Sequence, residues 1–183
     1  MWFNNAPAAD RKKKKGLPDY NQSISIPGLE KKSQYITKEK YLNIIEITQY
    51  SEEALEALNE LLPQLLVSAL PLSADDFIEI IHSKSSHLLM AEKNGLYHGS
   101  LTLITAKSLT GIKVWIEDVV VNENIRSKEV GSLLIEHAVW LAKKIGAQTI
   151  ELTSRQSRTA ANALYKKIGF EIRKTNVYQY KIT

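Results

Sequence analysis

Six consecutive residues, Arg126, Ser127, Lys128, Glu129, Val130 and Gly131, stand between an apolar run at 116–121 and the most regular helical pattern in the chain. A turn that feeds a helix aims several unpaired backbone N–H groups and the positive end of the helix dipole at one spot, which suits an anion such as a pyrophosphate. Arg126 adds a fixed positive charge beside that spot, and Gly131 allows backbone or ligand to come close. Taken alone, the hexapeptide is more often an ordinary strand–loop–helix connection. Just upstream, Glu117 and Asp118 are adjacent carboxylates within a strand pattern. Successive strand side chains point to opposite faces, so only one of the two is expected to look into a cleft. There it would be a proton acceptor; otherwise the pair is a cluster of satisfied charges at a strand end.

Other chemistries are set aside by residue type. The 183 residues include no cysteine, which excludes disulfides, thiolate zinc sites and a cysteine nucleophile. His82, His87, His98 and His137 fall in no metal-ligand spacing, so no metal site is expected. No apolar run approaches the roughly 20 residues that cross a bilayer, and the N-terminus lacks the apolar stretch of a signal peptide. A cytoplasmic protein without a membrane partner is the expectation. The net charge of +4 is unevenly placed: residues 1–40 hold nine basic residues, Arg11 to Lys15 among them, against four acidic, while the remainder is almost balanced. Nucleic-acid binding is therefore not expected of a folded domain here and would have to belong to the basic stretch.

The elements that must position these residues follow from periodicity. Residues 1–40 show neither strand nor helix period and collect Pro7, Pro18, Pro27, Gly16 and Gly28, which reads as a basic, flexible N-terminal extension before a domain over 41–183. A strand near Leu42–Ile47 precedes a helix that starts at Ser51 and is expected to kink or end at Pro63. Ser73 and Asp76 form a capping box for a second helix. Asn94-Gly95 and a polar loop ending at Gly111 divide three strands into an antiparallel meander. Residues 128–145 form a helix stopped by Gly146, followed by a strand at 149–153, a helix at about 158–168 stopped by Gly169, and strands near 170–174 and 177–182. His137, Trp115 and Trp140 read as packing residues. The whole is a mixed α/β (α+β) domain, with antiparallel hairpins first and a strand–helix–strand crossover in the second half.

Two motifs then combine at a telling spacing. Residues 126–131 resemble the Arg/Gln-x-x-Gly-x-Gly/Ala pattern of the GNAT acyltransferase superfamily, and Arg158-Thr-Ala-Ala-Asn-Ala-Leu-Tyr165-Lys-Lys-Ile-Gly-Phe170 resembles its A-x-x-L/F-Y-x-x-x-G-F signature. Glu129 stands where the pattern has its first glycine, and Ser127 replaces another frequent one. The resemblance spans roughly 44–182 and implies the GNAT-like fold, a mixed, mostly antiparallel sheet flanked by helices. It implies an N-acetyltransferase that moves an acetyl group from acetyl-CoA, as cosubstrate, to a small-molecule or peptide amine by direct attack in a ternary complex. The catalytic residue it points to is Tyr165, as proton donor to the departing thiolate; of the adjacent pair, Glu117 is favoured over Asp118 as base, with water-mediated deprotonation left open because Thr153 stands where some members carry a glutamate. Val119, Val120 and Val121 would pair with the pantetheine arm, their amides polarising the thioester carbonyl. Arg126, Ser127, Lys128, Glu129, Val130, Gly131 and Ser132 would surround the pyrophosphate, with Arg158 and Asn162 completing the cofactor site. Homodimers are common in such a family. Two other readings stand beside this one: a GNAT-fold domain that binds acyl-CoA without catalysis, on account of Glu129, and a binding module that works through the basic arm.

Overall fold

The computed structural model describes residues 42–125 and 128–182, with the backbone alone at Lys128. The N-terminal extension read at 1–40 lies outside the described residues, as do Arg126 and Ser127. Strand β1 is Asn43–Glu46, followed by helices α1, Glu52–Leu65, and α2, Ala74–His82. The meander comprises β2, Ser86–Lys93, β3, Leu96–Ser108, and β4, Gly111–Val121. A short turn of 3-10 helix at Glu123–Ile125 leads to α3, Lys128–Ile145. Strand β5, Thr149–Leu152, and α4, Thr159–Ile168, follow. The sheet has the order β1-β2-β3-β4-β5; β1 to β4 pair antiparallel, and β5 joins β4 in parallel across the α3 crossover.

Local chemistry explains most of these boundaries. Ser51 and Ser73 each accept the N–H of the third residue along, Ala54 at 3.2 Å and Asp76 at 3.1 Å, satisfying a donor that the first helical turn cannot. Asn94 and Gly95 have φ of 57° and 77°, the paired positive values of a type I′ hairpin turn. Gly169 ends α4 at φ 109° while its N–H reaches back to the Tyr165 and Lys166 carbonyls. Pro63 neither kinks α1 to a stop nor ends it; the helix runs two residues further, to Leu65. It stands in the last turn, where few intrahelical bonds remain to be lost.

The two sheet faces carry separate cores. Leu89, Ala91, Leu101, Leu103, Val114 and Ile116 meet Val130, Leu134, Ile135, Ala138 and Ala142 of α3, and Tyr165 of α4 joins that cluster. On the opposite face Leu88 and Met90 meet Ala54, Leu55 and Leu58 of α1 and Phe77 and Ile81 of α2. The result is three layers with the alternation that buries both faces of the central strands. His137 is half-buried and packs at a tilt against Trp140, their ring centroids 4.9 Å apart; Trp140 itself is exposed and carries the Lys144 ammonium at 4.1 Å. Trp140 is thus a surface platform rather than a core residue. The strands expected near 170–174 and 177–182 do not form: this stretch has no regular secondary structure, bends at 174–175, and pairs with no strand among the described residues.

Gly99 fixes how closely β3 and β4 approach near the start of α3. A Cβ there would lie 2.7 Å from the Val120 carbonyl oxygen and 3.3 Å from both Val121 Cα and Val130 Cγ1. Two of those neighbours are backbone and cannot swing aside. Gly99→Ala is therefore expected to cost about 1–3 kcal/mol, the usual range for overpacking, and to lower Tm by several degrees. An unchanged thermal transition would show that the strands part there without strain.

Candidate active site

Parallel pairing between β4 and β5 runs from Lys113↔Thr149 to Ile116↔Leu152 and stops. Beyond that rung β4 continues to Val121, whereas the chain leaving β5 turns off toward α4. The β4 edge facing away from β3 is left without a strand partner among the described residues, and a cleft of about 510 Å³ opens in the gap. Its walls are Glu117, Asp118 and Val119 on one side and Thr153, Ser154 and Arg155 on the other. Leu62, Leu65, Leu66 and Ala69 of α1 and the loop after it line it too, and so do Arg158 and Tyr165.

A β-bulge shapes the first wall. Ser100 pairs with Val120 and Thr102 with Glu117, so Leu101 faces two residues of β4, Asp118 and Val119. Asp118 takes up the extra residue with φ 53°, the left-handed region that an aspartate tolerates better than most side chains. Strict alternation required one carboxylate to face away from any cleft. The bulge breaks the alternation, and both Glu117 and Asp118 line the cavity and are exposed to it.

The α1 wall is held by side-chain bonds to backbone. Asn59 receives the Leu72 N–H at 2.7 Å and donates to the Leu72 carbonyl at 3.1 Å, which ties down the loop after α1. Gln64 accepts the Glu123 N–H at 2.9 Å, joining α1 to the turn that follows β4. Arg158 stands at the N-cap of α4 and reaches the Leu65 carbonyl at 3.5 Å. Asn162 donates to the Arg155 carbonyl at 2.9 Å, so this side chain clasps the loop between β5 and α4 rather than standing open.

Tyr165 is only 9% exposed and packs its ring 6.0 Å from that of Phe170. Burial pushes its phenol above the ordinary value of 10.0, with the Arg158 guanidinium pulling the other way. The group is protonated throughout the neutral range. A neutral phenol on the wall of a cleft is a proton donor, and exposed carboxylates opposite are acceptors.

The residues of the first motif divide. Lys128 opens α3, Glu129 is exposed in its first turn, Ser132 is half-buried and Val130 lies in the core. Gly131 is buried against α4: a Cβ there would meet Leu164 Cδ2 at 3.2 Å and Val121 Cγ2 at 3.9 Å. The glycine thus admits a neighbouring helix, where the sequence suggested close approach of a ligand. Val120 is buried, its carbonyl oxygen against Gly99, and Val121 packs on the core from its edge. Neither lines the cleft, nor do Asn162 and residues 129–132 of α3. Sequence reasoning missed Arg155, Ser154 and the Leu62–Ala69 wall. The apolar spacing of Leu62 and Leu65 carried a signal only for a helix face.

Comparison with known proteins agrees with this architecture. The chain belongs to the acetyltransferase (GNAT) family, whose model matches residues 53–170, more than half of its length. It is 39% identical over 59 residues to the uncharacterized N-acetyltransferase YvbK of Bacillus subtilis (strain 168), a match covering 32% of this chain and 38% of that protein. The chain thus spans well under half of that relative. In fold it is similar to glucosamine-6-phosphate N-acetyltransferase from Arabidopsis thaliana, with a TM-score of 0.63 at 21% identity over 77% of this chain and 99% of that one. It is similar also to an aminoglycoside acetyltransferase from an uncultured soil metagenomic sample, solved with sisomicin, with a TM-score of 0.69 at 13% identity over 78% and 96% of the two chains. The aminoglycoside N-acetyltransferase AAC(6')-Iy, solved with CoA, gives 0.64 at 17% over 77% and 95%. Among the described residues no helix is long and apolar enough to cross a membrane, and no group of three metal-binding side chains converges.

The left-handed backbone at Asp118 makes a specific demand on residue type. Asp118→Asn is expected to leave Tm nearly unchanged, since asparagine tolerates the conformation, while Asp118→Val should cost about 1–3 kcal/mol. Thermal melts of the two variants check this; equal melting temperatures would show that the bulge does not depend on φ at this residue.

Proposed function

We propose that this chain is an N-acetyltransferase that moves an acetyl group from acetyl-CoA to a primary amine by direct attack in a ternary complex. The observation that carries the reading is the cleft between the parted β4 and β5, with a buried, protonated Tyr165 and two carboxylates on its walls. The unpartnered edge of β4 at Val119 to Val121 supplies backbone groups of the kind that pair with an extended pantetheine arm, and the bulge re-aims the amides beside the thioester carbonyl. The first turn of α3, with Arg126, Ser127 and Lys128 before and within it and Ser132 after, is a site of the kind that accepts pyrophosphate.

In the reaction the amine nitrogen attacks the carbonyl carbon, the carbon–sulfur bond breaks, and the acetyl group leaves on nitrogen as an amide. The departing thiolate takes the proton of Tyr165, feasible for a phenol kept neutral by burial. The proton lost by the amine passes to Glu117, directly or through water, with Asp118 beside it. Two carboxylates at one wall favour an acceptor that arrives as a cation, which gives up one proton to solvent before its neutral nitrogen attacks. The tyrosine is re-protonated from solvent after thiol release.

A second reading, acyl-CoA binding without turnover, is favoured by one feature: Glu129 in the first turn of α3, a carboxylate near the proposed pyrophosphate. Release of free thiol from acetyl-CoA over a panel of primary amines separates the two. Turnover with any amine supports the enzyme; saturable acetyl-CoA binding with no thiol release over the whole panel supports the second reading.

Tyr165→Phe is expected to fold and bind acetyl-CoA normally while kcat falls roughly 10²-fold, the scale of losing a general acid. The raised phenol places the alkaline loss of kcat above the ordinary tyrosine range in the parent protein: the donor is present below its raised pKa and is lost as pH rises through it. A kcat equal to the parent's in Tyr165→Phe would remove the residue from the mechanism.

Glu129→Gln removes a like charge from the pyrophosphate region, so acetyl-CoA should bind up to about fivefold tighter at low salt and the gain should shrink as salt rises. The same change takes a favourable acid from a helix N-terminus and should destabilise the free protein by about 0.3–1 kcal/mol. Calorimetric titration at two salt concentrations, with a melt of the free proteins, checks both signs. Equal or weaker binding by the variant at both salts would place the phosphates elsewhere.

A further inference from the structure

A second cavity lies at the end of the sheet away from the cleft. The cleft opens where β4 and β5 finish; this one lies where β2 begins, β3 ends and β4 starts. Helix α3 covers one face of these strands as far as Ile145 and then stops, Gly146 turning the chain away at φ 84°. The hairpin of β3 and β4 runs on, to Ser108 and Gly111. Thr105 pairs with Val114, which meets α3, and Lys107 pairs with Ile112, so by alternation these residues lie on the same face of the sheet. Past the end of the helix that face is uncovered and opens a cavity of about 590 Å³, within the roughly 300–1,000 Å³ of small-molecule sites.

The lining has one sign of charge. Lys84 and Lys107 are exposed and make no ion pair among the described residues, and no aspartate or glutamate lines the cavity. The nearby Glu46 carboxylate is engaged by His87 Nδ1 at 2.7 Å, which leaves Nε2 of that lining residue for a ligand. Ile112 and Ile145, both half-buried, supply an apolar part. Both lysines stand on pinned backbone. The Ser83 hydroxyl accepts the Ser85 N–H at 3.3 Å, and the Ser85 carbonyl takes the Thr105 N–H at 2.7 Å, which fixes the turn that carries Lys84. Next to Lys107, the Ser108 hydroxyl donates to the Gly111 carbonyl at 3.0 Å and closes the hairpin. The negative end of α3 is blunted, because the N–H groups of Gly146 and Ala147 cap the Lys143 and Ala142 carbonyls at 3.1 and 3.0 Å. Two fixed cations with no acid among them attract an anion, and the isoleucines favour one with a hydrophobic body.

We propose that this cavity is a second ligand site, for a small organic anion whose apolar body rests on Ile112 and Ile145 and whose carboxylate or phosphate head is held by Lys84 and Lys107. The two heads are one chemistry to a lysine, a point charge without the planar fork that would choose between them. The site shares no lining residue with the cleft, and the inference does not depend on the catalytic reading.

The test follows backbone amide shifts of the full chain by NMR during titration with phenylacetate, phenyl phosphate, the neutral phenylacetamide and inorganic phosphate. Saturable shifts at residues 84–87, 105–107, 112 and 145 are expected with at least one aromatic anion, and the comparison of the two shows which head the site prefers. Phenylacetamide should bind roughly fivefold more weakly than the preferred anion, and Lys84→Gln with Lys107→Gln should weaken that anion by about the same factor. The double variant should keep the parent's melting temperature and its acetyl-CoA binding, which separates a lost site from a lost fold. Equal binding of phenylacetamide would leave an apolar crevice that does not recognise charge, and inorganic phosphate binding as tightly as phenyl phosphate would leave surface lysines alone. Either result overturns the proposal, as does parent-like affinity in the double variant, or the absence of saturable shifts at those residues with both aromatic anions.

Discussion

The structure depends on the rung where β4 and β5 separate. Strands that pair in parallel normally stay paired, because each broken rung leaves backbone groups to find other partners. Here the pairing ends at Ile116↔Leu152 while β4 runs on for five residues. The open β4 edge, the cavity beside it and the bulge at Asp118 all lie in those five residues. The stored cost is local: one left-handed aspartate, one bulge and a stretch of unpaired edge. Everything else holds that gap at a fixed width.

That support comes from both layers. On one face α3 and α4 are drawn together at Gly131, which lets Leu164 approach, and Tyr165 sits in the core while also lining the cleft. On the other face α1 reaches over the gap, tied by Gln64 to the turn after β4 and by Arg158 to the start of α4. The packed core fixes the tyrosine and, by burial, raises its phenol further above the neutral range, against the pull of Arg158. Position and proton affinity thus share one cause.

Much of this was legible in the chain. Asn94-Gly95 states its turn directly, Ser51 and Ser73 state their caps, and residues 128–145 carry a periodicity that only a helix satisfies. Tyr165, singled out by its motif, and Glu117, favoured over Asp118 on the strand, line one cleft. What escaped was set by pairing between distant segments. Glu117 and Asp118 read as facing opposite ways because alternation holds in a regular strand, and the bulge arises only when β3 contributes one residue against two. Gly131 reads as a ligand contact until α4 is seen against it. Residues 170–182 have a strand's alternation, but a strand needs a partner, and none pairs with them among the described residues.

Hydrogen exchange read at single amides, with and without acetyl-CoA, tests the central claim most directly. If the parted edge of β4 holds the pantetheine and the start of α3 the phosphates, amides at 119–121 and 128–132 gain protection on binding while those of β1 and β2 stay unchanged. Protection confined to other segments, or acetyl-CoA binding that leaves the β4 edge exchanging at its free rate, would contradict the account.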